Sequence, residues 1–417
     1  MESNLEHSKA LDPLLERIGD AHCVLLGEAS HGTHEYYTWR TAISKRLIEE
    51  KGFNFIAIEG DWPDCYRLNR YIKGYDSADK SPEEMLRSFR RWPTWMWANW
   101  EVTALISWLK DYNKQLYPNK KIGFYGLDVY SLWESLYVIT EYLEGTDPAT
   151  AAIAKKAIQC FEPYDRDEYR YAREQATIAD SCRDTLVSML TEIRKKASGY
   201  NHDPEAALNT EQNANVAVNA EEYYRNMTGF NDNTWNLRES HMIETLYRLR
   251  KFHGAGAKTI IWAHNTHIGD ARYTNMHAEG MVNLGQLLRE EMGLQDVVLV
   301  GFGSYQGTVI AAKEWGGEME EMNVPEAHPG SVEELLHQDA ATDRLLIFER
   351  DKKQRFDKMM PHRAIGVIYH PKRESYGASV LSSRYDAFIY IDQTMALHPL
   401  YLRPDGHQIP ETYPFSY

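Results

Sequence analysis

Cys23-Val-Leu-Leu-Gly-Glu28-Ala-Ser-His31-Gly-Thr-His34-Glu35-Tyr-Tyr-Thr-Trp-Arg40 is the stretch around which this chain is organised. Its opening, His22 to Leu26, is an apolar run of the length of a buried strand. Gly27 and Gly32 bracket a sharp turn, and Glu35 to Glu50 then shows helical periodicity through Trp39, Ile43, Leu47 and Ile48. Strand, turn and helix in that order mark the C-terminal edge of a parallel sheet, where open α/β folds place ligands. Glu28, His31, His34 and Glu35 crowd this turn. An acid three residues before a histidine can bond one ring nitrogen, set the tautomer and leave the other nitrogen as a base. Acid placed for the helix dipole explains Glu35, but it does not explain Glu28 and His31 inside the turn.

Further strands follow working outward: Phe53 to Ile58 ending on Glu59-Gly-Asp61, Lys121 to Leu127 ending on Asp128, and Lys258 to Ala263 ending on His264-Asn265-Thr-His267. A fifth, Asp296 to Phe302, is followed by Gly303-Ser304-Tyr305. Helical patterns lie between the earlier strands, which is the rhythm of a parallel sheet. Four strands ending on a carboxylate or a histidine imply one polar site across the sheet's C-terminal edge, with Asp61 and Asp128 on its substrate side. Two inserts interrupt the rhythm. Ser88 to Trp100 carries four tryptophans in nine positions. Packing under the next helix is the preferred reading, and a wall built of Trp95 and Trp97 for a bulky substrate is the other. Residues 132–252 read as long amphipathic helices, for instance Asp165 to Lys196 and Glu205 to Arg225. They form a lobe over the sheet edge from which Arg238 could face the site. Beyond the fifth strand, Thr308 to Ala312, Arg344 to Phe348, Ala364 to Ile368 and Ala387 to Ile391 look like strands, and Ser331 opens a capping box.

The expected architecture is therefore α/β: a largely parallel sheet with flanking helices, a helical lobe inserted over its C-terminal edge, and a strand-rich C-terminal part. Residues 1–131 and 253–417 form the core and 132–252 the lobe. The chain has 417 residues, 43% of them hydrophobic, enough for one large core plus a lobe. A net charge of −15 argues against nucleic acid and anionic membranes as partners. Nothing approaches transmembrane length, and the first twenty residues lack a secretory leader's pattern. Four scattered cysteines, Cys23, Cys65, Cys160 and Cys182, argue against a disulfide framework and for a reducing, cytoplasmic setting. Asn226-Met-Thr is a glycosylation sequon by letter only. Gly254 to Thr259 lacks a phosphate loop's second glycine and precedes its strand, the spacing around Ser304 is not that of a nucleophile elbow, and no His-Glu-x-x-His is present.

Gly27-Glu28-Ala-Ser-His31-Gly-x-x-Glu35 with Arg40, then Ile58-Glu59-Gly-Asp61, then Ala263-His264-Asn265-x-His267 resemble the motifs of the erythromycin esterase family, in order and over most of the chain. The resemblance implies a sheet-and-helix hydrolase core with a helical lobe over its cleft, and metal-independent attack of water on a macrolactone ester. It implies His31 as base, Glu28 and Glu59 as its acidic partners, His264 and His267 completing the site, and Arg40 as a supporting cation. The resemblance also implies macrolide inactivation and antibiotic resistance as roles of some members, since the family is broad and many members are not resistance enzymes.

Residue chemistry agrees. His31, oriented by Glu28 or Glu59, takes a proton from water, and His264 or Arg40 steadies the oxyanion. With no elbow serine or paired cysteine, direct hydrolysis is expected over an acyl-enzyme. The expected partner is a small-molecule ester or lactone, with no cofactor and no resident metal; the sequence sets no oligomeric state. A rival enzyme reading makes Glu28, Glu59, Asp61, His264 and His267 ligands of a divalent ion that activates the water. A third makes the chain a non-catalytic binder of an apolar ligand, which two glutamates and three histidines at strand ends disfavour.

Overall fold

The computed structural model describes residues 2–401, apart from 6–7, 77–78, 166, 176–181, 202, 228–233, 350–351, 353 and 374. The chain divides into two compact units. The first comprises Met1–Ala57, Arg70–Gly123 and Ala255–Tyr417; the second comprises Ile58–Asn69 and Phe124–Gly254. The second unit thus takes in the helical insert together with the distal ends of two strands.

The first unit is built on strand β2 (Cys23–Leu26), all four of whose residues are buried. A strand covered on both faces reads as a continuous apolar run, and Cys-Val-Leu-Leu is one. It pairs in parallel with β5 (Thr259–Trp262) on one side and β6 (Val297–Ala311) on the other, Leu26 lying opposite Trp262 and Val300. β11 (Ala387–Thr394) runs parallel to β6, β8 (Arg344–Ile347) antiparallel to β11, and β1 (Glu2–Asn4) antiparallel to β8. The order is therefore β1-β8-β11-β6-β2-β5. It continues into the entrances of β3 (Phe55–Asp61) and β4 (Gly123–Asp128), where Asn54 N–H donates to Lys258 O at 2.9 Å and Gly123 N–H to Asn54 O at 3.0 Å. The sheet is mainly parallel, flanked by helices, with a strand-rich C-terminal part.

Several boundaries differ from the sequence reading. β3 runs on through Glu59 to Asp61, so those acids are strand residues. The fifth strand and the segment 308–312 form one strand of fifteen residues. It is continuous because its far half, Gly307 to Ala311, is paired with antiparallel β7 (Glu320–Val324), which the sequence reading missed. Ala364 to Ile368 is not a strand. It makes isolated bridges, Ile365 with Ser30 and Ile368 with Ala312, while β9 (Met359–Arg363) just before it pairs with β10 (Tyr376–Val380). At Ser331 half the capping box forms: Ser331 accepts from Glu334 N–H, but the Glu334 carboxylate takes Gly330 N–H instead.

Helix α1 (Asp12–Ile18) precedes β2, and α2 (His34–Lys51) follows it. Burial of α2 extends beyond the predicted stripe to Tyr36, Tyr37, Arg40 and Ser44, so nearly its whole first half is core. It stops at Gly52, which takes the left-handed φ of 69° that a glycine cap permits.

The second unit packs helices Leu132–Thr146, Pro148–Phe161, Arg183–Lys196 and Ala206–Asn226 around Leu136, Ile139, Leu143, Ala154, Phe161, Leu186, Met189, Ile193, Ala214 and Ala217. The expected helix Asp165 to Lys196 is two described helices, Glu168–Gln175 and Arg183–Lys196; residues 176–181 lie outside the described residues, as does Thr228 of the sequon. Cys160 and Cys182 form a disulfide, their Cα atoms 5.8 Å apart. This one bridge removes the argument that the scattered cysteines make for a reducing compartment. The described part of the molecule has no helix long and apolar enough to cross a membrane.

Candidate active site

At the end of β2 the backbone turns through Gly27 to Thr33 under close constraint. A Cβ on Gly27 would lie 2.1 Å from Asn265 Oδ1, and one on Gly32 would lie 1.9 Å from Ile310 O. Both positions need glycine because neighbouring chain passes against them. Asn265 N–H donates to Glu28 O at 2.9 Å, its Nδ2 donates to Phe302 O at 2.6 Å, and its Oδ1 accepts from Phe302 N–H at 3.2 Å. The motif after β5 therefore fastens the turn to β6.

The carboxylate of Glu28, fully buried, is shared. Oε1 lies 2.9 Å from His31 Nδ1, and Oε2 lies 2.6 Å from Arg40 Nη2. Arg40 is itself 0% exposed, its guanidinium 4.3 Å from the Tyr37 ring centroid and 4.6 Å from that of Trp262. The buried cation is held by the charge of the carboxylate and by two aromatic faces, while none of its three nitrogens makes a well-aligned hydrogen bond among the described residues. Arg40 thus sits behind Glu28.

His31 and His264 face each other, ring centroids 4.9 Å apart and planes tilted by 41°. Their ring nitrogens are committed in opposite senses. His31 Nδ1 meets an anionic acceptor, so it carries the proton and leaves Nε2 with a lone pair. His264 caps the short helix Asn265–Ile268: its Nδ1 accepts from Thr266 N–H at 3.3 Å and lies 2.8 Å from Thr266 Oγ1. An accepting Nδ1 puts the proton on Nε2. The pair therefore offers one base and one donor. His267 is buried on the same short helix.

Other predicted residues are placed as follows. In the second unit, Arg238 gathers Glu59 and Asp128: its Nη2 donates to Glu59 Oε1 at 2.8 Å and to Asp128 Oδ2 at 2.6 Å, and its Nε to Asp128 Oδ1 at 2.9 Å. Burial works against the guanidinium's charge, but Asp128, Tyr130 and Glu59 outweigh it and hold its pKa well above the ordinary arginine value. Asp61 ends β3, partly exposed. Trp95 and Trp97 are 1% and 6% exposed, Trp95 edge-on to Trp92 of the same segment and Trp97 edge-on to Tyr37 of α2. Ser304 Oγ is buried and accepts from Tyr36 O–H at 2.9 Å, while Ser30 is bonded to Thr33 Oγ1. Burial raises the Glu35 carboxyl to about 7 even though it accepts from Met395 N–H.

His34, although in the same turn, belongs to a different group. Its Nδ1 lies 2.6 Å from Glu101 Oε1, which also takes His398 Nδ1 at 2.6 Å. Burial of Glu101 raises its pKa, but the two imidazoles outweigh that and hold the carboxyl down at about 2. Glu101 and His398 went unnoticed in the sequence because no local spacing links positions 34, 101 and 398. Thr266, which sets the His264 tautomer, was within a quoted motif but looked like filler.

Together the fold and this turn define an α/β protein with a carboxylate-tethered histidine opposed by a second histidine at the ends of parallel strands. The chain belongs to the erythromycin esterase family, which matches it over residues 48–394. That match begins beyond the Glu28–His31 turn. The chain is similar to "Erythromycin esterase type II" of Escherichia coli, at 23% identity over 360 residues, covering 81% of this chain and 83% of the relative. Among solved structures it resembles a Bacillus cereus protein (TM-score 0.78, 21% identity, 95% and 96% of the two chains) and a mutant of the erythromycin esterase EreC in its open conformation (TM-score 0.68, 16% identity, 94% and 98%). These likenesses establish the fold, and family membership supports a hydrolase.

Proposed function

We propose that the protein hydrolyses a carboxylic ester or lactone by direct attack of water, with His31 as the general base. The observation that carries this is the opposed commitment of the two imidazoles: Nδ1 of His31 on Glu28, Nδ1 of His264 on Thr266. His31 Nε2 takes a proton from water as the water oxygen bonds to the carbonyl carbon. The Glu28 carboxylate stabilises the imidazolium so formed, and His264 Nε2–H donates to the oxyanion. Collapse breaks the C–O bond to the alkoxide, which takes its proton back from His31. Arg40 acts through Glu28, whose carboxylate it holds. The reaction as proposed uses no metal. The name of the Escherichia coli relative directs the choice of substrate to macrolactones, and through them to antibiotic resistance.

The test is a screen of p-nitrophenyl esters and macrolactones with wild type and His31→Asn, with and without brief exposure to a chelator. Wild type should turn over an ester in both buffers, and the variant should lose about 10²–10⁴ in rate. A folded His31→Asn with full activity would remove His31 from the mechanism. A rate lost in chelator and restored by zinc or manganese in wild type and in His398→Ala alike would replace the histidine base with a metal-held water.

A further inference from the structure

Three side chains that the hydrolytic reading does not use converge elsewhere in the first unit. His34 is the first residue of α2, Glu101 lies in the first turn of the helix Trp100–Lys114, and His398 follows β11. One ring nitrogen of His34, one of His398 and one carboxylate oxygen of Glu101 all lie within 4.8 Å of one another. The two rings stand edge to face, centroids 5.3 Å apart at 89°, so their nitrogens approach the carboxylate from different directions.

We propose that His34, Glu101 and His398 form a binding site for a divalent transition ion of the zinc type, made of other side chains than the Glu28, His31 and His264 of the ester-cleaving reading. Four observations carry it. Two imidazoles and one carboxylate are a donor set that suits zinc and its neighbours and does not suit calcium or magnesium. The load on the carboxylate is lopsided: Oε1 takes both imidazoles at 2.6 Å, whereas among the described residues Oε2 accepts one long bond, 3.5 Å, from His398 N–H. Two nitrogens aimed at one oxygen is the arrangement that an ion between them would open into three separate bonds. Third, the ligands are pre-positioned by contacts that do not use their side chains. Asn99 caps the Glu101 helix by accepting from Val102 N–H at 2.7 Å, and Trp100 N–H donates to His398 O at 3.0 Å, holding position 398 beside that helix. His34 N–H donates to Met395 O at 2.9 Å, so the same tail is tied to α2 as well. Fourth, burial is graded. The side chain of Glu101 is 0% exposed and that of His34 is buried, whereas that of His398 is 35% exposed. Solvent therefore reaches one side, leaving water or an external donor as fourth ligand of a tetrahedral ion, the open geometry that three protein ligands give zinc. Bound there, the ion would join the start of α2, the Glu101 helix and the tail after β11.

The proposal does not depend on the hydrolytic reading, because its readout is ion binding. Chelator-treated protein is titrated with zinc alone and with cobalt(II) alone, in wild type, His398→Ala, Glu101→Gln and His264→Ala, with circular dichroism confirming the fold of each. Wild type and His264→Ala should bind one equivalent of zinc, and cobalt should show the visible absorption of a tetrahedral site. His398→Ala, the change at the most exposed ligand, should weaken zinc binding about 100-fold or more and abolish that absorption. Zinc should raise the melting temperature of wild type but leave that of His398→Ala unmoved. Folded wild type that binds no zinc at millimolar concentration overturns the proposal. So does zinc binding that survives both His398→Ala and Glu101→Gln, or that is lost in His264→Ala instead.

Discussion

Replacing Glu28 by Gln separates two duties of one carboxylate. In wild type its Oε2 neutralises Arg40 at 2.6 Å, and its Oε1 receives His31 Nδ1 at 2.9 Å. Gln fills the same volume and still offers a carbonyl oxygen to His31, but it leaves the Arg40 cation buried and unpaired. Removing one partner of a buried pair costs about 3–5 kcal/mol, and the contacts with Tyr37 and Trp262, present before and after the change, do not alter that difference. Glu28→Gln should therefore be destabilised by about 3–5 kcal/mol in chemical denaturation. Glu28→Gln with Arg40→Met removes both charges at near-constant volume, and such replacements are often neutral in stability. The double variant should regain most of the lost stability. Activity should not follow. Both variants form the His31 imidazolium without the Glu28 carboxylate that stabilises it, and the rate loss should be about 10²–10⁴ in each. The assay pairs denaturant midpoints with kcat/KM on the best ester of the screen. Activity that returns along with stability would refute the reasoning, since Glu28 would then serve Arg40 alone. An undiminished midpoint in Glu28→Gln would refute the buried-pair account.

Enzyme quenched during turnover and examined by mass spectrometry should show no acyl adduct; a kinetically competent adduct on Ser30 or Ser304 would replace water attack by covalent catalysis. In the second unit, burial raises the Asp147 pKa, but hydrogen bonds from Lys196, Thr150 and Tyr200 outweigh it and hold the carboxyl at about 2, below its ordinary 3.8. Its contribution is therefore present above pH 4 and lost as pH falls from about 4 to about 2. The denaturant midpoints of wild type and Asp147→Asn should converge over that window, and a constant gap down to pH 2 would contradict the assignment.

What the sequence made legible was local. β2, the turn and α2 lie within thirty residues, and their periods and glycines declare them. Glu28, His31, Arg40 and His264 could be nominated because each stands at a strand end or in the next helix, where an α/β sheet presents its chemistry. Their geometry could not be read in the same way. Arg40 was considered as an oxyanion donor because a cation near a site is usually free to act; only packing shows Tyr37 and Trp262 closing over it. The His34–Glu101–His398 group was invisible for a related reason: the three positions are brought together by tertiary contacts and by no shared period. β7 and β9 were missed because their burial does not alternate cleanly; Glu320 and Glu321 are exposed in succession, and β9 contains a proline.

The C-terminal part looked like an appendage in the sequence, yet its contacts converge on the turn. Ile365 N–H donates to Ala29 O at 2.7 Å, Leu397 N–H and Ile310 N–H both donate to Gly32 O at 2.9 Å, and Met395 O accepts from His34 N–H at 2.9 Å. The backbone on both sides of His31 is thus pinned by chain that arrives more than 270 residues later. Such crowding requires Gly32, because Ile310 O occupies the space a side chain would take. It also has a chemical consequence. A base acting on water must hold its nitrogen within a few tenths of an ångström of the productive position, and a solvent-exposed turn held only by its own strand and helix would not do that. The long β6 and the tail after β11 convert this turn from a surface loop into interior backbone while the rings of His31 and His264 stand side by side, centroids 4.9 Å apart.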